Sequence, residues 1–141
     1  MSWTQAGLVE VREAKAGMGV FAVVDIPVDT VIGVFQGVVN RFPFVAGQPD
    51  YGDADQHMML DLYLSGDALY ALTLPDRDEP VNRINHSCNP NCHLTGVHGL
   101  TVVARRPIAV GDELTFDYRN VTLVGVGQKC WCKHIGPKCR L

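Results

Sequence analysis

A mainly β domain of several short-stranded sheets is the fold class this sequence predicts. Three observations carry the prediction. Apolar or alternating runs are only four to eight residues long and are punctuated by Gly, Pro, Asp and Ser. Two stretches, Pro27 to Ile32 and Pro107 to Leu114, share one plan of proline, turn, then strand. No helical periodicity is sustained between them, and short strands with frequent turns favour small packed sheets.

The elements follow in order. Gly19 to Val24 reads as a strand. Thr30 to Phe35 reads as another, launched by the turn at Pro27-Val28-Asp29. Residues 40–56 carry Pro43, Gly47, Pro49 and Gly52 and read as a loop with room for a short helical turn. His57 to Leu64 and Leu69 to Leu74 read as strands broken by Ser65-Gly66-Asp67. Leu100 to Ala104 follows a Gly-rich turn at Gly96 to Gly99, which suggests a hairpin. Glu113 to Tyr118 alternates after a turn at Gly111-Asp112. Residues 119–129 read as a connector to a cysteine-rich tail, 130–141.

Length and composition bound the function. The 141 residues fit one domain and can bury a core without disulfide staples. No apolar run approaches the ~20 residues that span a bilayer. The first residues lack the basic and apolar regions of a signal peptide, so an intracellular protein is expected. A net charge of −3 and a single basic doublet, Arg105-Arg106, argue against nucleic-acid binding through phosphates. Acidic residues at Asp50, Asp53, Asp55, Asp61 and at Asp76, Asp78, Glu79 read either as solvated loops or as a groove that attracts a basic peptide.

Chemistry concentrates in the C-terminal half. Asn82-Arg83-Ile84-Asn85-His86-Ser87-Cys88-Asn89-Pro90-Asn91-Cys92 is too polar for a core strand and too rich in cysteine for a plain loop. All five cysteines lie after residue 87, and Cys130, Cys132 and Cys139 crowd into ten residues. Three close thiols and a remote one, with Cys88 as the candidate, satisfy tetrahedral zinc. His134 can compete as a ligand, and a reduced cluster without metal is the plain alternative. Ala16-Gly17-Met18-Gly19 allows close backbone approach to a ligand, but a turn explains two glycines as well. It lacks the third glycine and helix start of a dinucleotide fingerprint. Tyr118 ends a strand, where a packed tyrosine is common; facing a pocket, its hydroxyl can orient or deprotonate an amine.

In order, G-x-G-x-x-A, N-H-S-C-x-P-N, E-L-T-F-D-Y and C-x-C…C resemble the SET-domain protein lysine methyltransferases, from about Val11 to Leu141. The resemblance implies a minimal SET domain of the β-clip type, with few short helices and a C-terminal pseudoknot, at residues 1–118. A post-SET zinc module would occupy 130–141, with structural Zn2+ on Cys88, Cys130, Cys132 and Cys139. It implies S-adenosylmethionine as cofactor, held by Gly17, Met18 and Gly19 from one side and by Asn85 and His86 from the other. Tyr118 falls on the active-site tyrosine. Phe35 and Phe116 supply the wall of a lysine channel, and a phenylalanine at 116 hints at di- or trimethylation. The implied partner is a protein or peptide with a target lysine, a histone tail being one such peptide, with neither nucleic acid nor membrane. The implied compartment is the cytoplasm in a prokaryote or the nucleus in a eukaryote.

Departures from the family pattern are also visible. Asn82-Arg83 stands where the family has arginine and then an aromatic residue, so Arg83 is the candidate to take over a cofactor contact. A tyrosine is common where Phe35 stands. Six residues separate Cys132 from Cys139 where the family has four. These departures motivate an alternative, a catalytically inactive SET-fold module that binds peptide. Cys92 is expected to be a buried, reduced thiol.

Overall fold

The computed structural model describes residues 1–14 and 17–123. Cys130, Cys132, His134 and Cys139 lie outside the described residues, as does most of the connector. The described strands are β1 (Trp3–Thr4), β2 (Val9–Ala14), β3 (Gly17–Ala22), β4 (Val31–Val34), β5 (Val38–Val45), β6 (Gln48–Pro49), β7 (Met59–Leu64), β8 (Ala68–Thr73), β9 (Asn85–His86), β10 (Cys92–Thr95), β11 (Thr101–Ala104) and β12 (Thr115–Phe116). Helical structure among the described residues is confined to short 3-10 turns such as Pro80–Arg83 and Tyr118–Asn120. The expected class, mainly β in several small sheets, is therefore the observed one.

Four sheets form, ordered β1-β4-β11-β10, β6-β5-β8-β7, β2-β3 and β9-β12. β10 and β11 make the expected hairpin, with Thr95 opposite Thr101. The two proline-turn-strand segments meet each other. Ile26 and Ile108 exchange both backbone hydrogen bonds, at 2.8 and 2.9 Å, and both side chains are buried.

The main core gathers Val20, Ile26, Ile32, Val81, Ile84, Val102, Ile108 and Leu114 between the sheets. β8 is covered on both faces because side chains alternate along a strand. Leu72 points into the main core, whereas Leu69 and Ala71 pack with Phe42 in a second cluster. The turn Pro80–Arg83 packs against β2, β3 and β4, which sets the polar segment at the edge of the core.

Two expectations are corrected. The stretch 40–56 is not a loop throughout, because β5 runs to Val45 and β6 pairs with it. Pro43 is tolerated inside β5, opposite Ala68, where its side chain stays exposed. Glu113 to Tyr118 is not one paired strand either. Glu113 bridges Phe21, only Thr115 and Phe116 pair with β9, and Tyr118 opens a 3-10 turn.

Candidate active site

The site grows from the parallel pair β9–β12, in which Thr115 lies opposite Asn85 and Phe116 opposite His86. Parallel strands need a crossover, and here 28 residues separate Asn85 from Glu113. This pairing brings the polar segment and the strand before Tyr118 together.

Asn91 holds that strand in place. It is buried; its Nδ2 donates to the Glu113 carbonyl at 2.8 Å and its Oδ1 accepts the Thr115 N–H at 2.9 Å. One carboxamide thus stands in for a neighbouring strand.

His86 is 1% exposed at its side chain. Its Nδ1 accepts the Tyr118 backbone N–H at 3.0 Å. The neutral ring therefore carries its proton on Nε2, which lies 3.3 Å from Cys88 Sγ. Burial lowers the pKa of His86. The Asp117 carboxylate opposes that and Arg119 reinforces it, so the group lies below its ordinary value. Asp117 in turn is bound by Arg119 Nε at 2.9 and 3.0 Å. Burial pushes the Asp117 carboxyl up, but the Arg119 bonds outweigh it and hold the group below the usual range.

The Tyr118 hydroxyl donates to the Ile84 carbonyl at 2.5 Å. Its ring lies 4.9 Å from Phe116 and 5.3 Å from His86 between centroids. Phe35 continues the row, 5.8 Å from Phe116. Phe35 and Phe116 are 2% and 3% exposed. Burial first, and then the Glu113 carboxylate, push the Tyr118 pKa well above its ordinary value. The phenol therefore stays protonated near neutral pH.

The glycine segment forms the start of β3. Gly17 has φ +94°, a backbone conformation that residues other than glycine rarely adopt. Gly19 is required by space, because a Cβ there would come 2.5 Å from Glu113 Oε2 and 3.1 Å from Asn85 Nδ2. Met18 is 42% exposed, and its carbonyl accepts from Asn85 Nδ2 at 3.2 Å. Gly17 to Gly19, Asn85, His86 and Tyr118 thus form one neighbourhood, with the exposed Gly17 and Met18 at its edge.

Arg83 points elsewhere. Its guanidinium pairs with Asp78 at 2.9 Å. Asn82 Nδ2 donates to the Asp76 carbonyl at 2.8 Å and to Asp76 Oδ1 at 3.1 Å. Asn82 Oδ1 is buried without a hydrogen-bond partner among the described residues. Cys92 is fully buried, and burial pushes its thiol up to about 12, so it is inert as expected. Among the described residues no group of three or more His, Cys, Asp or Glu can hold a metal; three of the four expected zinc ligands lie outside them. Asn91, Glu113 and the Ile84 carbonyl escaped the sequence reading. The polar N-P-N stretch is the one signal for Asn91, and Glu113 reads in the sequence only as the first residue of an alternating run.

The SET domain family matches residues 17–119. The chain belongs to that family. A relative from Mycosarcoma maydis, "Histone-lysine N-methyltransferase, H3 lysine-36 specific", is 32% identical over 92% of this chain and 14% of that protein. Drosophila melanogaster "Histone-lysine N-methyltransferase Set2" is 30% identical over 92% of this chain and 6% of that protein. The chain spans less than a fifth of either relative. The methyltransferase domain of human PR domain-containing protein 2 superposes with TM-score 0.56 at 17% identity, over 79% of this chain and 77% of that one, and so shares its fold.

Proposed function

We propose that this SET domain transfers a methyl group from S-adenosylmethionine to the side-chain amine of a lysine in a protein or peptide. The observation that carries the reading is the Tyr118 hydroxyl, anchored on the Ile84 carbonyl beside His86. The names of the relatives point the same way, and a histone tail is the first substrate to test.

The residues fit such a cofactor. Gly17 and Met18 are exposed at the start of β3, Gly19 is buried beside Glu113 and Asn85, and Asn85 reaches the Met18 carbonyl from β9, with His86 next to it in the chain. S-adenosylmethionine supplies, when bound, a methyl group on a cationic sulfur. Gly17, Met18 and Gly19 would hold it largely through backbone groups, and Asn85 and His86 from the other side; Arg83 remains a candidate only if it leaves Asp78.

Tyr118 donates its O–H to a hydrogen bond with the Ile84 carbonyl, so its oxygen is left to accept an N–H from the incoming amine. That fixes the direction of the amine lone pair, and alignment is what a displacement needs most. The amine, with a reference pKa near ~10.4, must arrive neutral. Tyr118 keeps its proton near neutral pH, so the phenol and not a phenolate meets the amine. Phe35 and Phe116 instead favour the neutral amine by excluding water. Methyl transfer should therefore rise with pH through the neutral range.

Cys88, Cys130, Cys132 and Cys139 would hold a structural Zn2+ that ties the tail beside His86. Residues 1–118 would be the catalytic domain, 119–129 the connector and 130–141 the zinc module. The compartment is that of the substrate: nucleus for a histone, cytoplasm in a prokaryote. The departures at Asn82-Arg83 and Phe35, with Arg83 paired to Asp78, favour a second reading, a peptide-binding module without catalysis. Calorimetry with S-adenosylmethionine separates the two. Saturable binding supports the enzyme, and no binding at millimolar donor supports the inactive module.

A further inference from the structure

Three parts of the site meet at Glu113. Its backbone bridges antiparallel to Phe21 of β3, and the following N–H, of Leu114, donates to the Val20 carbonyl at 2.7 Å. Its own carbonyl accepts from Asn91 at 2.8 Å. Its carboxylate Oε2 accepts from Asn85 Nδ2 at 2.8 Å and fills the space a Cβ on Gly19 would need. The same charge reaches Tyr118.

We propose that Glu113 is a positioning residue for the donor site, acting through the Asn85 carboxamide. The proposal rests on the donor-binding reading above. A carboxamide has two faces of opposite polarity and turns over readily when nothing distinguishes them. Here Nδ2 is claimed by two acceptors, Glu113 Oε2 at 2.8 Å and the Met18 carbonyl at 3.2 Å. Turned over, Oδ1 would face a carboxylate and a carbonyl with no proton between them. Glu113 therefore holds Asn85 in one orientation. Asn85 Oδ1 has no hydrogen-bond partner among the described residues and is left as an acceptor for a ligand. A ligand group bearing N–H protons, such as an ammonium, suits it; a carboxylate does not. A neutral glutamine at 113 can donate as well as accept, so it removes the preference without removing the side chain.

The test is donor affinity by calorimetry in four full-length chains: native, E113Q, N85A and the double variant. The account expects E113Q to weaken S-adenosylmethionine binding by about tenfold, the loss of one charge-assisted hydrogen bond. In the N85A background the same change should cost little, because the group Glu113 acts through is gone. Equal losses in both backgrounds, or no loss in the native one, overturn this inference alone. No donor binding by the native chain overturns the functional reading and this inference with it. Should E113Q fail to fold, E113D draws the carboxylate back by one methylene and makes the same comparison.

Discussion

Replacing Tyr118 by phenylalanine removes one oxygen and almost nothing else. The ring keeps its neighbours, Phe116 at 4.9 Å and His86 at 5.3 Å. The backbone N–H to His86 Nδ1 is untouched. What is lost is the 2.5 Å bond to the Ile84 carbonyl, and a carbonyl left unpaired in a partly buried place costs about 1–3 kcal/mol of folding stability. The effect on transfer should be far larger than the effect on folding. Without the hydroxyl the amine has no fixed direction, and misplacement on the order of 1 Å costs about 100-fold in rate. Donor affinity should change little, because no donor contact is assigned to the hydroxyl. Radiolabelled methyl transfer at saturating donor measures the rate, calorimetry the donor affinity, and urea unfolding the stability. Unchanged turnover in a folded Y118F chain would refute the reasoning. So would a loss of turnover that donor binding fully accounts for.

Other predictions follow from neighbouring contacts. Gly19→Ala puts a Cβ 2.5 Å from Glu113 Oε2. The carboxylate can move, but Ala14 Cβ at 2.9 Å is fixed to β2, so stability should fall by about 1–3 kcal/mol, and calorimetry should show clearly weaker donor binding because the Asn85–Glu113 bond is pushed apart. Asn91→Ala strands a carbonyl and an N–H around Thr115; at about 1–3 kcal/mol for each buried group, urea unfolding should show one of the larger single-residue losses. His86 has a pKa below its ordinary 6.5, chiefly through burial. The unfolded chain binds that proton more readily, so the stability it contributes is complete above pH 6.5 and is lost as pH falls through the lower folded value. Thermal melts across that range should show a falling midpoint, and an H86N chain, which keeps the other four histidines, should lose this part of the slope. Chelation of zinc should release the metal and weaken donor binding, since metal binding is coupled to local folding; a metal-stripped chain with native donor affinity would contradict the proposed zinc module.

Much of the fold was legible because turns announce themselves. Gly96 to Gly99 marked the β10–β11 hairpin, and Ser65-Gly66-Asp67 marked the break between β7 and β8. The same habit misled at Pro43 and Pro49, which read as loop although β5 runs past the first on the exposed side and β6 holds the second, while Gly47 does lie in the turn between them. β2 was missed, yet Val9-Glu10-Val11-Arg12 alternates plainly and pairs residue for residue with β3. Of the site, residues with unusual chemistry stood out: Asn85, His86, Tyr118 and the glycines. Partners that act through geometry did not. Nothing in the sequence says that the carbonyl of Ile84 holds a phenol, or that Asn91 replaces a strand, because both roles exist only once β9 and β12 lie side by side.

The central claim is that strands far apart in the chain bring a donor site and an anchored tyrosine hydroxyl together for transfer to lysine. Incubation of the native chain with labelled S-adenosylmethionine and either core histones or a cell lysate, followed by mass spectrometry, tests it most directly. The account predicts label on lysine Nζ atoms, abolished by Y118F and reduced by G19A. A native chain that binds donor yet labels no lysine, or label confined to other residue types, would contradict it.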